Sequence, residues 1–374
     1  MESKPLVRVM AAEEIVAQRS LEIPFFQVPD LRTVFLERSM RLRQLAAQSS
    51  LGDFLRFLAV LAQAQHQQAQ GYPKLPTIDA VEAARLERVA GVPFVATEWY
   101  RDPVWRAQLL ALAQQCAANA PAALREALER LHGAGDVWVE AQADLLLAGS
   151  QRGLDLALAP LIGAALQLHW TVLLAQWEEA ARAEPALRSA IGRTLLEGHC
   201  PACASPPTAS MTLAIGPSAG HRYLHCSLCN ARWHMPRNKC AHCYRSDDLR
   251  YEALELADEV PAAADGEKVV KTVDHRRTLE ARKTIEAAER LPKLGSEGSE
   301  AGETTAVGRR PAVLAEACGH CRHYLKIMHT DRDPFVDPVA DDLYSLSLDL
   351  LLGEEGFERF GNNLMLHLAR PEDP

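Results

Sequence analysis

Residues 198–243 read GHCPACASPPTASMTLAIGPSAGHRYLHCSLCNARWHMPRNKCAHC and contain three Cys-x-x-Cys pairs. A fourth pair follows in the string ACGHC at residues 317–321. A Cys-x-x-Cys turn can direct two sulfurs at one ion, and two such turns complete a tetrahedral four-sulfur site. One pair is a weak signal, whereas four pairs of equal spacing are a strong one. The sequence therefore predicts metal ligands at Cys200, Cys203, Cys226, Cys229, Cys240, Cys243, Cys318 and Cys321.

The four pairs are expected to combine in the order in which they occur along the chain, giving two metal ions. The first unit, residues 198–239, joins the pairs 200/203 and 226/229, with room for a β-hairpin between them. The second unit, residues 240–374, joins the pairs 240/243 and 318/321. Each is a rubredoxin-like or zinc-ribbon type of unit, which is too small to be held by its own core and is stabilised by its metal. Four sulfurs accept iron or zinc, and the spacing does not choose between them.

The chain before residue 198 has a different composition. Residues 1–197 are rich in Ala and Leu, and their apolar residues recur at helical spacing, which predicts an all-α domain. Helices are predicted from Asp30 onwards and at Ala11–Arg19, Leu51–Gln70, Thr77–Arg88, Asp102–Asn119, Pro121–His132, Asp136–Leu147 and Leu154–Ala183.

Within the second unit, residues 257–311 resemble an insertion. They include a charged helical pattern at Asp274–Arg290 and end in a stretch rich in Gly, Ser and Glu. Strands are predicted at Leu249–Leu256 and around Tyr324–Ile327, and a final helix at Val339–Leu352. The expected fold is α plus small β: a helical N-terminal domain, two four-cysteine units and a C-terminal helix.

Composition narrows the classes of function. The chain has 374 residues, 48% of them hydrophobic, and a net charge of −9, which argues against wholesale nucleic-acid binding. The first residues lack the apolar segment of a signal peptide, and clustered cysteines fit metal binding in a reducing cytoplasm. The uncharged stretch Leu156–Trp177 is long enough to span a bilayer, but it carries Pro160, Gln167 and His169. We expect a buried helix there rather than a membrane span.

Two interpretations of the charge near the cysteines stay open. Residues 199–250 contain six Lys or Arg and two Asp. These cations either compensate the negative charge of the metal sites or form a basic surface for a partner, with Trp233 exposed beside them. The histidines in this part are expected to surround the sites rather than to ligate metal: His199, His221, His225, His234 and His242. The ninth cysteine, Cys116, is expected to be a buried free thiol in a helix.

Enzymatic readings find little support in the sequence. It shows no Ser-His-Asp set, P-loop or dinucleotide fingerprint, and no βαβ unit that would indicate thiol–disulfide chemistry. We therefore expect a protein that is not an enzyme. Two other classes remain as alternatives: a zinc-ribbon protein that binds nucleic acid, and a redox protein with an iron site.

Several strings in this chain resemble the formate dehydrogenase accessory protein (FdhE) family. They are LEGHCPACAS at 196–205, LHCSLCNARWHMPRNKC at 224–240, CGHCRHYLKI at 318–327 and VADDL at 339–343. The four cysteine pairs and the Ala-Asp-Asp-Leu motif occur in the order typical of that family, and the resemblance covers nearly the whole chain. Residues 257–311 are the exception, because that segment is usually much shorter in the family.

The resemblance implies a cytoplasmic assembly factor for a respiratory formate dehydrogenase, with the catalytic subunit as its protein partner and with rubredoxin-like, iron-binding sites. It also suggests where the partner binds, since Trp and Arg are common at binding hot spots. The expected docking face comprises Arg232, Trp233, Arg237, Asp341 and Asp342. The competing interpretation is that Trp233 packs against a metal turn and that the two aspartates cap or flank the last helix.

Overall fold

Helices make up the N-terminal half, as the spacing of apolar residues predicts. The computed structural model describes residues 23–75, 92–183, 191, 198–256, 270–274 and 311–366. The helices there are α1 (Val34–Ala46), α2 (Gly52–Gln70), α3 (Val104–Cys116), α4 (Ala122–Gly133), α5 (Asp136–Leu147) and α6 (Ala159–Ala183). A short 3-10 turn, Ala117–Asn119, extends α3. The helices predicted at Ala11–Arg19 and Thr77–Arg88 lie outside the described residues.

Helix α6 forms the centre of the helical region. Nearly every side chain from Ala159 to Leu174 is buried, and Trp170 is 1% exposed. A helix that is apolar on all sides is a core helix when other helices surround it. The neighbours of α6 are α2, α3 and α5. Among the described residues, no helix has the length and apolar character that crossing a membrane requires.

One mixed β-sheet contains the strands of both predicted cysteine units. Its strands are β1 (Phe26–Gln27), β2 (Pro207–Thr212), β3 (Arg222–Cys226), β4 (Arg232–Met235), β5 (Leu249–Leu256), β6 (Val270–Asp274), β7 (Val313–Cys318), β8 (His323–His329) and β9 (Glu358–Arg359). They are arranged in the order β1-β4-β3-β2-β8-β7-β5-β6, with β9 paired to β8.

The two units meet where β2 runs parallel to β8. Ser210 is paired with Ile327 and Thr212 with His329, so the sheet crosses the boundary predicted at residue 239. The hairpin expected between the first two cysteine pairs is present as β2 and β3, with Leu224 opposite Ser210. The four-cysteine units are therefore two halves of one sheet, although the sequence presents them as separate ribbons.

Two expectations about the C-terminal part need correction. The helix expected at Val339–Leu352 is two helices, α7 (Ala340–Tyr344) and α8 (Leu346–Glu354), since the backbone at Ser345 leaves the helical region. Residues 257–311 were expected to hold a helix and a loop, yet Val270–Asp274 forms strand β6 beside β5. The rest of that segment, including all but the first residue of the predicted helix at Asp274–Arg290, lies outside the described residues.

Candidate metal centres

All four Cys-x-x-Cys turns share one backbone conformation. The residue after each second cysteine has a positive φ, although none of these residues is glycine: Ala204 (59°), Asn230 (58°), Tyr244 (62°) and Arg322 (59°). In three of the turns, the N–H of this residue donates to the carbonyl of the first cysteine at 2.9–3.1 Å. The left-handed residue reverses the chain so that both sulfurs of a turn project to the same side.

Backbone N–H groups also point at the sulfur of the first cysteine in two turns. The N–H groups of Leu228 and Cys229 donate to Cys226 Sγ, each at 3.4 Å. The N–H of His242 donates to Cys240 Sγ, also at 3.4 Å. Such donors stabilise a thiolate, because they offset part of its negative charge.

The first cluster consists of Cys200, Cys203, Cys226 and Cys229, as the sequence predicts. Its sulfurs are 3.5 Å apart in the pair 200–229, 3.4 Å in the pair 203–226 and 3.8 Å in the pair 203–229. Four sulfurs at 2.3 Å from a common centre would be separated by about 3.8 Å in a tetrahedron. The four side chains are at most 1% exposed. The first cluster therefore fits a closed four-sulfur metal site.

The second cluster consists of Cys240, Cys243, Cys318 and Cys321. Its sulfurs are 3.7 Å apart in the pair 240–321 and 3.8 Å in the pair 243–318, which again matches a tetrahedron. Cys240 and Cys318 are buried, whereas Cys243 and Cys321 are only partly buried. None of the eight cysteines in the clusters forms a disulfide. The consecutive pairing expected from the sequence is confirmed for both clusters.

Burial makes ionised thiols costly in both clusters. It raises the pKa of Cys200 and of Cys229 well above the usual value, and it raises the pKa of Cys321 to about 11. A cation at the centre of each cluster would offset this cost, because it favours the charged form of all four sulfurs. The donor set and its spacing fit a divalent metal or ferric iron, and they suit zinc and iron equally well.

The first cluster lies where the helical region meets the sheet. The N–H of Phe94 donates to the Ala202 carbonyl at 2.9 Å, and the N–H of Ala96 donates to the Cys203 carbonyl at 3.0 Å. On the other turn, the Gln167 amide donates to the Ser227 carbonyl at 2.6 Å. Both cysteine turns are thus hydrogen-bonded to residues of the helical half, so the cluster couples the two halves of the molecule.

A further link joins α1 and α6 to the second turn of this cluster. The Asn230 amide donates to Thr171 Oγ1 at 2.8 Å, and its carbonyl oxygen accepts from Arg38 at 2.8 Å. Arg38 is 1% exposed and also donates to Gln167 and to Asp337. Sequence analysis did not single out Arg38, because a single arginine on a helix normally indicates a solvated face.

The expected docking face is corrected by the burial of its residues. Trp233 is 3% exposed, Asp341 is 1% exposed and Asp342 is fully buried, while Arg237 is exposed. Trp233 lies on β4, between β1 and β3, and packs into the large core shared with the helices. Arg232, its neighbour on β4, is partly buried. Trp233 and the two aspartates therefore form no exposed surface, and of the two interpretations left open for Trp233, the one in which it is exposed is wrong.

Asp341 is one half of a clasp between α1 and α7. It accepts two hydrogen bonds from the Arg41 guanidinium, at 2.9 and 2.6 Å, and Arg41 also donates to Asp333. The side chains of Arg41 and Asp341 are 7% and 2% exposed. A bidentate pair of this kind has a fixed geometry, so it orients α7 against the helical region.

Asp342 belongs to a separate charge network between α7 and the sheet. Arg359 donates to both of its oxygens at 2.7 Å, and Asn363 donates to one of them at 2.8 Å. Lys326 on β8 is 3.2 Å from Asp342 and also donates to Asp349 on α8. These cations lower the pKa of Asp342, although burial acts in the opposite direction. The Ala-Asp-Asp-Leu motif thus connects three parts of the fold, which favours its structural interpretation.

Cys116, outside both clusters, is a free thiol in α3 and is 1% exposed. Burial raises its pKa to about 11, which makes the thiolate rare at neutral pH. The expectation of a buried free thiol in a helix is confirmed.

Comparison with known proteins finds family matches to the helical half, the first cysteine unit and the C-terminal part of the chain. Three family models match: "FdhE, N-terminal" at residues 23–186, "FdhE, central domain" at residues 199–237 and "FdhE, C-terminal domain" at residues 298–366. The chain is 35% identical to a "Protein FdhE homolog" from Pseudomonas aeruginosa over 90% of either chain. It is 33% identical to one from Edwardsiella ictaluri, over 91% of this chain and 90% of the relative.

A solved structure is similar as well. It is described as "The crystal structure of the FdhE protein from Pseudomonas aeruginosa" and covers 93% of this chain and 100% of its own, with a TM-score of 0.68 and 31% sequence identity. The fold of this chain therefore has a counterpart among experimentally determined structures.

Proposed function

The chain belongs to the FdhE family, and we propose that it is a metal-containing accessory protein for the maturation of a respiratory formate dehydrogenase. The observation that carries the proposal is the gathering of eight cysteines, distant in sequence, into two four-sulfur clusters within a chain of this family. Each cluster holds one metal ion, iron or zinc, so the chain carries two. The protein acts in the cytoplasm and binds the catalytic subunit of the dehydrogenase.

The protein acts by binding rather than by catalysis. Support comes from the buried acids and bases, which are committed to pairs within the fold. Arg222 and Glu316, for example, are fully buried side by side at 2.9 Å on β3 and β7. The carboxylates of α7 and α8 are paired with Arg41, Lys326 and Arg359. These groups hold elements together, so their burial is explained without a reaction.

Nucleic-acid binding is less well supported than protein binding. Of the six cations in residues 199–250, Arg222 is buried against Glu316, Arg245 is 2.9 Å from Asp247 and Arg250 is 3.5 Å from Asp248. Cations that bind phosphate need to reach it from an exposed surface. Because three of the six cations are paired with carboxylates, residues 199–250 offer little free positive charge for binding a nucleic acid.

A redox role has one observation in its favour, the partial exposure of the second cluster. An iron ion held by Cys243 and Cys321 would lie near the surface, where an electron donor can approach it. The first cluster is closed on all four sulfurs and fits a structural role. Iron at the second cluster that is reduced and reoxidised while zinc occupies the first would support this second candidate.

The test of the leading proposal uses a bacterium that lacks its own member of this family. Expression of the chain is expected to restore formate-dependent dye reduction by the membranes of that strain. A tagged form is expected to co-purify with the catalytic subunit from the cytoplasmic fraction.

Cysteine variants provide the matched comparison. Cys243→Ser with Cys321→Ser removes two ligands of the second cluster and is expected to abolish restoration. Cys116→Ala changes a cysteine that lies outside both clusters and is expected to restore activity as the wild type does. A wild-type chain that is folded and metal-loaded, yet neither restores activity nor retains the subunit, would overturn the proposal.

A further inference from the structure

A third group of metal-binding side chains lies at the edge of the second cluster. A ring nitrogen of His242, a ring nitrogen of His323 and Cys321 Sγ are all within 4.8 Å of one another. Imidazole and thiolate are the usual ligands of zinc, and three protein ligands leave a position open for water. Cys321 is a member of both groups, so an ion held by these three side chains would share a sulfur with the second cluster.

The two imidazole rings stack on each other beside Cys321. They are stacked at 3.7 Å between centroids with an interplanar angle of 11°, and His242 also packs edge-on against Phe360 at 5.1 Å. His323 Nδ1 donates to the Cys321 carbonyl at 2.8 Å, and its Nε2 is 3.4 Å from Glu358. The partners of His323 fix the orientation of its ring, whereas the exposed His242 ring has to rotate out of the stack before both imidazoles can direct a nitrogen at one ion.

Exposure decreases from this histidine pair towards the interior of the cluster. His242 is exposed, His323 and Cys321 are partly buried, and Cys240 and Cys318 are buried. An ion that approaches from this side therefore meets the imidazoles and the Cys321 sulfur before it reaches the buried sulfurs of Cys240 and Cys318, while Cys243 is partly buried like Cys321. The first cluster has no comparable gradient, because all four of its cysteines are at most 1% exposed.

We propose that His242, His323 and Cys321 form a loading site, through which a divalent metal ion passes on its way into and out of the second cluster. This inference rests on the proposed function only in that the second cluster holds a metal. The loading site takes Zn²⁺ or a similar ion with nitrogen and sulfur ligands. It binds weakly, since it supplies three ligands where the cluster supplies four.

Transfer from the loading site is an exchange of ligands. The two imidazoles and the water in the open position leave the ion as neutral molecules or groups, and the sulfurs of Cys240, Cys243 and Cys318 take their three places beside Cys321. Each thiol that becomes a ligand loses its proton to solvent, so no oxidant or reductant is needed. Release of the ion follows the same steps in reverse.

The test is isotope exchange in the full-length, zinc-loaded protein. Protein carrying natural zinc is mixed with an excess of ⁶⁷Zn²⁺, and bound isotopes are followed by mass spectrometry after rapid desalting. The wild type is expected to exchange half of its zinc in a faster phase, from the second cluster. His242→Ala with His323→Ala is expected to slow that phase about tenfold, with two zinc ions still bound at equilibrium.

The sign of the change separates a loading site from a cover. If the stacked rings only shield the second cluster, their removal makes the faster phase faster, and the proposal is wrong. His320→Ala is the control, because His320 is an exposed histidine on the same turn and contacts Arg245. Its exchange rate is expected to equal that of the wild type.

Three further results are decisive. An unchanged exchange rate in the double variant contradicts the loading site, although it leaves the assignment of both clusters intact. Loss of one zinc ion at equilibrium shows that the histidines hold the ion in the second cluster rather than load it, and this also overturns the proposal. A wild-type chain that binds fewer than two zinc ions contradicts the proposed clusters, and the loading site with them.

Discussion

The residue after the second cysteine of each pair has a backbone conformation that is unfavourable for a residue with a side chain. Ala204 has a φ of 59°, a conformation in which an L-residue with a Cβ is disfavoured by about 1 kcal/mol. The turn keeps this conformation because both cysteines of the pair then face one centre. Glycine would adopt it without that cost, although it also gains entropy in the unfolded chain.

Ala204→Gly is therefore expected to stabilise the metal-loaded protein, by up to about 1 kcal/mol. Urea unfolding of the loaded protein measures this change. Ala202→Gly is the control on the same turn, because Ala202 is buried and its φ is not positive. That control is expected to lower stability. A lower stability for Ala204→Gly would mean that the lost methyl contacts outweigh the relieved strain.

The clasp between α1 and α7 gives a second prediction at this scale. Asp341→Asn leaves the buried Arg41 guanidinium with only the partly exposed Asp333 as a charged partner. Breaking a buried ion pair typically costs about 3 kcal/mol, because the remaining charge stays buried. The free energy of unfolding of the variant is expected to fall by that order. Asp53→Asn, in the exposed Asp53–Arg56 pair of α2, is expected to change it little. If Asp341→Asn changes the free energy of unfolding as little as Asp53→Asn does, the clasp adds nothing to stability.

The cluster cysteines could be placed from the sequence alone, whereas Trp233 could not. The eight cysteines were assigned correctly to two clusters, because the Cys-x-x-Cys turn is local and the chemistry requires four sulfurs per ion. The position of Trp233 was left open between the surface and packing against a metal turn, because the strand Arg232–Met235 gives no sign of which neighbours cover it. Strand β1 and the helices that cover Trp233 are distant from it in sequence, and a local pattern does not predict pairing over such distances.

At the scale of elements, β5 and β7 form a hairpin interrupted by the long segment 257–311. Leu249 is opposite Cys318 and Glu252 is opposite Ala315. If this register continues, Leu256 lies opposite Pro311, so the two ends of the segment are adjacent. Among the strands that the structure describes, β6 pairs with β5 alone, at the end of the sheet, and is therefore not required for the β5–β7 pairing that positions Cys318.

Residues 257–311 are accordingly expected to be dispensable for metal binding. Their replacement by a four-residue Gly/Ser link should give a protein with two bound ions per chain, since short links between adjacent strands cost little entropy. Elemental analysis of the purified variant measures this. Loss of the ion from the second cluster alone would show that the segment supports the Cys318–Cys321 turn.

Element prediction succeeded where the pattern was periodic and failed where partners were distant. Helix α5 was predicted with the observed bounds, Asp136–Leu147, and strand β5 likewise at Leu249–Leu256. The final helix was expected to be continuous, but the backbone at Ser345 leaves the helical region and divides it into two short helices, a break that the apolar pattern does not encode. The parallel pairing of β2 with β8 was not foreseen, because each strand in isolation is compatible with a separate ribbon.

At the scale of the whole molecule, the first cluster acts as a joint between the helical half and the sheet. Its two turns accept hydrogen bonds from Phe94, Ala96 and Gln167. A structural metal site contributes folding free energy on the order of 10 kcal/mol in small metal-dependent units. Loss of this ion should therefore affect more of the molecule than loss of the ion from the half-exposed second cluster.

Cys226→Ser is expected to lower the melting temperature more than Cys321→Ser does, and to make residues 198–256 sensitive to protease. The helical half is expected to persist after the first change, since most residues of the large shared core belong to it. Circular dichroism and limited proteolysis distinguish these outcomes. Unchanged protease resistance of residues 198–256 in the Cys226→Ser variant would show that the first cluster is not structural.

The most direct measurement is the metal content and ligand set of the full chain purified without oxygen. Elemental analysis is expected to give two ions of iron or zinc per chain. X-ray absorption is expected to show four sulfur ligands per ion at about 2.3 Å. One ion or none per chain, nitrogen or oxygen ligands in the first coordination sphere, or disulfides within the cysteine pairs would contradict the assignment of two four-cysteine metal centres.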